Sequence, residues 1–230
     1  MKTIGIIGGL TWLSTIDYYR LINQAINDKT SGTQSARIIL YSLNFGDLLP
    51  FLQTHNWDGI TNILCDAARD IEKAGAECIL IATNTMHKVA GEVQLSVNIP
   101  LIHIAEATAD TIKDQRLTKV ALLGTKYTMQ LDFYRRKLAE KNITTIIPPS
   151  EDIEFINDSI FNEIGRGILM PETKQRYISI FNTLKTEGAQ GIILGCTEIP
   201  ILIKQEDSPL PVFDTTAIHA KAAVDFALRN

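Results

Sequence analysis

Residues Lys73–Thr85, KAGAECILIATNT, and Thr186–Glu198, TEGAQGIILGCTE, align without a gap at an offset of 113 residues. Each passes a glycine turn, runs through a short apolar strand and breaks at small hydroxyl or thiol residues, with Thr83 falling on Cys196. Two further segments repeat in the same order. TIGIIGG from Thr3 matches KVALLGT from Lys119 at an offset of 116, and IPLIHI from Ile99 matches LPVFDT from Leu210 at an offset of 111. One match alone would mean little, since any two α/β units share a loose pattern. Three in order at nearly one spacing argue for a duplicated α/β domain.

The rest of the chain reads the same way. Strands are expected at Thr3–Ile7, Ile38–Ser42, Cys78–Ala82, Leu101–Ile104, Val120–Leu123, Thr144–Ile147, Ile192–Gly195 and Val212–Asp214. Helical periodicity separates them. Thr15–Asn27 carries Ile16, Tyr19, Ile22 and Ile26 on one expected face, and Leu131–Lys141 carries Leu131, Tyr134 and Leu138. Nearly continuous Ile/Leu/Val strands between amphipathic helices imply parallel sheets covered on both faces. The expected domains are residues 1–104 and 105–215, related by pseudo-twofold symmetry, with the tail 216–230 returning to pack on the first.

Composition narrows the function. With 22 basic and 26 acidic residues the net charge is −4, and no basic stripe with interleaved aromatics suggests nucleic acid as a partner. The start, MKTIGIIGGLTW, reads as a first strand and not a signal peptide, and no apolar run approaches the roughly 20 residues of a membrane helix. Cys65, Cys78 and Cys196 form neither a disulfide framework nor a metal-ligand spacing. The expectation is a soluble, cytoplasmic protein with no membrane, nucleic-acid or metal partner.

Ligands of open α/β sheets bind beyond the carboxyl ends of the strands. Gly8–Gly9, Thr83, Gly124–Thr125 and Cys196 all stand at such ends. Two similar halves facing each other would set Thr83 and Cys196 across one cleft, an arrangement suited to chemistry on both faces of a single carbon. Gly8 and Gly9 lack the full G-x-G-x-x-G pattern of a nucleotide turn. The Gly9-Leu10-Thr11 backbone is instead expected to wall the substrate site.

At these residues the chain resembles the aspartate/glutamate racemase family over essentially its whole length. The motifs are GGLTWLST (from Gly8), TNTMH (from Thr83), LLGTKYTM (from Leu122), GCTEI (from Gly195) and FDTTAIHA (from Phe213). The resemblance implies two α/β domains with the site between them, commonly a homodimer, and racemisation without pyridoxal phosphate or metal, so no cofactor. Family members usually carry a cysteine at both strand ends: one thiolate removes the α-proton and the opposing thiol returns one from the other face. Here Thr83 stands in one of those places.

A thiol with a pKa of about 8.5 can be tuned toward neutrality by donors and a helix start, whereas a threonine hydroxyl has no accessible anion near pH 7. Thr83 can donate or relay a proton but cannot act as a comparable base. The resemblance assigns L-substrates to the cysteine of the second half. A one-sided racemase therefore follows, with Cys196 abstracting from L-aspartate or L-glutamate and Thr83 serving the opposite face.

Asn84 and Thr85 offer amide, hydroxyl and backbone donors for a carboxylate at a helix start, and Thr125, Thr197 and Glu198 occupy the matching place. A side-chain carboxylate calls for a cation, and Arg166 falls where related racemases place a basic residue before glycine. The Asn44–Gln53 segment lacks the arginine of some aspartate-specific relatives, leaving Gln53 as a substitute contact. His87 and His219 are expected to make structural hydrogen bonds only. Three alternatives stay open: an arylmalonate-decarboxylase-like enzyme using one cysteine, a broad-spectrum amino-acid racemase, and a degenerate amino-acid-binding protein.

Overall fold

The computed structural model describes residues 1–30 and 32–229. Its first part runs β1 (Ile4–Gly8), α1 (Trp12–Lys29), β2 (Ile38–Ser42), α2 (Phe45–Gln53), α3 (Trp57–Lys73), β3 (Cys78–Ile81) and α4 (Ala90–Leu95). There follow α5 (Ile104–Asp114), β4 (Lys119–Gly124), α6 (Lys126–Gln130), α7 (Asp132–Ala139), β5 (Thr144–Ile146), α8 (Ser150–Asn162) and α9 (Pro171–Thr186). The chain closes with β6 (Ile192–Gly195), α10 (Ile199–Leu202), β7 (Val212–Asp214) and α11 (Thr215–Ala227). It divides into two compact units, residues 1–104 with 219–230 and residues 105–218. Asn230, the last residue of the expected tail, lies outside the described residues. No helix among them is long and apolar enough to cross a membrane.

Both sheets are parallel, in the order β2-β1-β3 in the first unit and β5-β4-β6-β7 in the second. The repeat maps β1 on β4 and β3 on β6, so the central pair of each sheet is the same pair. The first unit lacks a counterpart of β7. Leu101, which the repeat aligns with Val212, makes a single bridge to Ile79. The expected strand Leu101–Ile104 is therefore corrected to one rung, with amide bonds running from Ile79 to Pro100 and from Ile102 back to Ile79. Beyond it, Ile104 already begins α5.

Burial follows the strand runs. Every residue of β1 and β3 is buried, and Tyr18, Ile22 and Ile26 of α1 meet Ile4, Ile6, Cys78 and Leu80 in the first core. Ala220, Ala223, Val224 and Ala227 of α11 complete it. Burying each large aliphatic chain contributes about 1.5–3 kcal/mol. The expected face of α1 is rotated: Ile16 and Tyr19 are exposed, and Tyr18, Ile22 and Ile26 point inward. At 3.6 residues per turn Tyr18 lies closer to the Ile22–Ile26 axis than Ile16 does. In α7, Phe133 joins Tyr134 and Leu138 in burial, while Leu131 is only the residue before the helix. The second core gathers Leu123, Ile156, Tyr177, Phe181, Ile192 and Leu194.

Candidate active site

Each unit brings all but one of its sequence-nominated residues to the carboxyl ends of its central strands. In the first, Ile7 pairs with Ile81, and the Ala82 amide donates to the Ile7 carbonyl at 2.9 Å, so Gly9–Thr11 and Thr83–Thr85 leave adjacent strands. Gly9 has φ +75°, and a Cβ there would lie 1.9 Å from the Leu43 carbonyl oxygen, so only glycine fits. Its amide donates to Thr15 Oγ1 at 2.8 Å, and that hydroxyl donates to the Thr11 carbonyl at 3.2 Å. Ser14 Oγ donates to the Ala82 carbonyl at 2.8 Å, tying the start of α1 to the end of β3. Leu10, Asn84 and Thr85 are buried, while Thr83 is half-buried.

After Thr83 the chain winds as a 3₁₀ turn over Thr85–Val89. The His87 amide consequently donates to the Asn84 carbonyl at 3.1 Å. The Thr83 carbonyl is met instead by His87 Nδ1 at 2.8 Å. The site is thus held by three side chains the sequence reading gave no part in the chemistry, Ser14, Thr15 and His87. The two hydroxyls carried a signal in the GGLTWLST motif, since both follow a glycine turn within one helical turn of Thr11. Their partners became visible only once α1 was seen to start at Trp12, which turns Thr15 back onto Gly9 and Ser14 onto Ala82.

In the second unit Gly124 pairs with Gly195, which sets Thr125 beside Cys196. The strands approach so closely that a Cβ on Gly124 would lie 2.6 Å from the Gly195 carbonyl oxygen. Thr125 is buried and caps α6, its Oγ1 accepting the Thr128 amide at 3.3 Å. Cys196 is buried, and its Sγ–H donates to Glu198 Oε2 at 2.8 Å. The Thr197 hydroxyl donates to the same oxygen at 2.8 Å.

Burial, then the negative charge of Glu198 and the Sγ–H bond to it, push the Cys196 thiol well above the ordinary thiol range. Backbone amides of Glu198 and Thr197 pull the other way and lose. The amide donors that favour a thiolate are thus present, but burial and the carboxylate two residues on outweigh them. Glu198, expected among the substrate's carboxylate contacts, holds its own carboxylate against the thiol. Cys78 is fully buried, and burial within β3 pushes its thiol up to about 12.

Arg166 and Gln53 stand at neither set of strand ends. Arg166 closes the 3₁₀ turn Ile164–Arg166 after α8, is exposed, and has no ion-pair partner among the described residues. That turn abuts the site, since a Cβ on Gly165 would lie 4.0 Å from Glu198 Cγ. Gln53 is exposed at the end of α2.

Residues 7–223 match the family described as Asp/Glu/Hydantoin racemase. The chain belongs to that family. It is accordingly an isomerase, an amino-acid racemase. A Yersinia pestis protein described as a putative Asp/Glu racemase shares 46% identity and superposes with a TM-score of 0.95 over 100% of both chains. An aspartate racemase homologue from Pyrococcus horikoshii OT3 shares 40%, with a TM-score of 0.89 over 100% of both. The broad specificity amino-acid racemase RacX of Bacillus subtilis is 28% identical over 96% of each chain. The family's parallel two-unit α/β architecture is the one found here.

Proposed function

We propose that this protein racemises aspartate or glutamate without a cofactor, and that it is L-selective because its two strand-end residues differ in kind. The observation that carries the reading is the pairing of Cys196 Sγ with the Glu198 carboxylate at 2.8 Å, against a threonine at the equivalent end of β3. Glu198 takes the thiol proton, leaving a thiolate. The thiolate removes the α-proton of the L-substrate and becomes a thiol again, while the electron pair passes into the substrate's carboxylate as an enediolate. Entry of the substrate's ammonium group favours the thiolate by offsetting its charge.

Thr83 then gives its hydroxyl proton to the opposite face as water resupplies it, because a free alkoxide is inaccessible near neutral pH, and the hydroxide so formed is neutralised by the proton that Glu198 took, which restores the starting state. Gly9, Leu10 and Thr11 wall the substrate, while Asn84, Thr85, Thr125 and Thr197 supply donors for the α-carboxylate. Arg166, on the turn beside Glu198, is the candidate partner of the side-chain carboxylate, and Gln53 a second polar contact.

The test follows the α-proton by NMR in deuterated water, with L- and D-aspartate and L- and D-glutamate supplied separately. Exchange of the L forms with formation of D product, lost in Cys196→Ala, supports the reading. Equal exchange from both enantiomers overturns its one-sidedness, and no exchange from any of the four overturns the acidic substrate.

A second reading, a racemase of wide amino-acid range, is favoured by the full-length likeness to RacX. Arg166→Ala separates the two, since it cripples acidic substrates alone if Arg166 selects them. We further propose a cytoplasmic homodimer. Its support is the resemblance and the exposed apolar surface of Ile16 and Tyr19 on α1 and Leu40 and Tyr41 on β2, which a second copy would cover. A monomer in sedimentation analysis would refute the dimer.

A further inference from the structure

The end of β3 in the first unit is tied to the peptide by which the chain leaves that unit, through one imidazole. His87 is buried, and its two ring nitrogens face opposite kinds of partner. Nδ1 lies 2.8 Å from the Thr83 carbonyl, an acceptor, so Nδ1 carries the hydrogen. Nε2 lies 3.2 Å from the Ile104 amide, a donor, so Nε2 is the bare acceptor. The tautomer is fixed from both sides.

A second imidazole repeats the pattern close by. His219 Nε2 donates to the Ile102 carbonyl at 2.6 Å, and its Nδ1 accepts from the Tyr18 hydroxyl at 2.7 Å. The two rings are 5.5 Å apart, and the His103 ring lies 4.7 Å from that of His87. Ile102, within the stretch that the repeat aligns with β7, and Ile104, just past it, are bonded here by histidine side chains. The burial that dominates their surroundings, with the neighbouring imidazoles, pushes His87 well below the usual histidine range and His219 down to about 3. Both rings are neutral at working pH.

We infer that His87 is a positioning residue for the opposite-face proton transfer: its Nδ1–H fixes the Thr83 carbonyl, and with it the aim of the Thr83 hydroxyl, while Nε2 anchors that residue to the chain junction at Ile104. The inference rests on Thr83 acting at the opposite face. It extends that reading to a group that touches neither substrate nor reacting atoms.

Two substitutions divide the ring's functions. Asparagine sets an amide nitrogen near the place of Nδ1 and keeps a donor for Thr83; glutamine sets an amide oxygen near the place of Nε2 and keeps an acceptor for Ile104. The quantity to read is the ratio of D-product formation to α-deuterium incorporation in recovered L-aspartate, in deuterated water. A deuteron returned by Cys196, after its thiol has exchanged with solvent, gives incorporation without inversion, and one delivered from the Thr83 side gives inversion. We expect His87→Gln to lower the ratio roughly tenfold, since small misplacements of a reacting group carry penalties of that order or more. His87→Asn is expected to keep it within about twofold while lowering the melting temperature.

Thr83→Ala is the control. If it leaves the ratio at the parent value, the Thr83 reading falls and the positioning role with it. If Thr83→Ala lowers the ratio but His87→Gln does not, the positioning role alone falls. An equal drop in the Gln and Asn variants would assign the effect to lost ring packing and also overturn it. The unsubstituted protein gives an independent check: imidazole nitrogen NMR is expected to find His87 as the Nδ1–H tautomer, unchanged from pH 6 to 8, and an Nε2–H tautomer would refute the proposal.

Discussion

The ends of β3 and β6 are built on one plan and supplied with opposite chemistry. Each follows a buried parallel strand and stands beside the end of a central partner, β1 or β4. At β3 the neighbouring functional side chain is a neutral imidazole bonded to a backbone carbonyl; at β6 it is a carboxylate bonded to a thiol. In the proposed reaction the first arrangement fixes a position and the second stores a mobile proton. All four histidines, at 55, 87, 103 and 219, lie in the first unit, and the second has none. The two sheets share a chassis, and the histidines are confined to one of the units.

The hardest test of this contrast is Cys196→Ala. Losing a general base of this kind costs on the order of 10³-fold, and L-exchange measured by NMR should fall by that much with the fold retained. A residual rate within tenfold of the parent would break the contrast outright. Thr83→Cys attacks from the other side by giving the β3 end a thiol, and D-exchange is expected to rise about 10²-fold. Unchanged D-exchange in a folded, substrate-binding variant would mean the β3 end does not face the reacting carbon.

Acid should also distinguish the units. His219 has a folded pKa of about 3 against about 6.5 unfolded, so the unfolded chain takes up its proton first. The stability tied to its neutral form is present above about pH 6.5 and drains away as pH falls toward 3. At pH 5 the loss is about 2 kcal/mol, with His87 adding in the same direction. Hydrogen exchange at pH 7, 6 and 5 should show β1 and β3 losing protection before β4 and β6; equal loss in both sheets would contradict it.

The smallest effect sharpens the β6 end. Glu198→Gln lifts one of the causes that raise the thiol but leaves burial, the larger one, and removes the internal acceptor of the thiol proton, so L-exchange at pH 7 should slow about tenfold. The thiol then ionises only to solvent, so the variant's rate should climb about tenfold per pH unit below the thiol's pKa, where the parent is flat. A parent and variant with the same pH slope would remove Glu198 from the proton path.

The architecture was legible because unbroken aliphatic strands and a repeat survive without tertiary context. Seven of the eight expected strands form, shifted by a residue at most. Leu101–Ile104 failed because its backbone groups are taken by His87 and His219, partners 17 and 117 residues away from the atoms they bind. The α1 face failed because Ile16 and Tyr19 look like core by type, although the helix's inward axis runs through Tyr18 and Ile22. The strand-end residues were readable as a set. The protonation of Cys196 was not, since it depends on the Glu198 side chain folding back on a neighbour two positions away. Arg166 and Gln53 show the same limit: sequence nominated the side chains, and their places on a turn and a helix end came only with the fold.

The last helix carries a consequence for how the protein is made. Ala220, Ala223, Val224 and Ala227 belong to the first core, yet residues 105–218 are translated between that core's two portions. Domains tend to fold as they emerge, amino-terminal first. The first unit therefore cannot complete its core while residues 105–218 are being made. Through that interval the apolar face that α11 will cover stays open, a surface on which a chaperone can act.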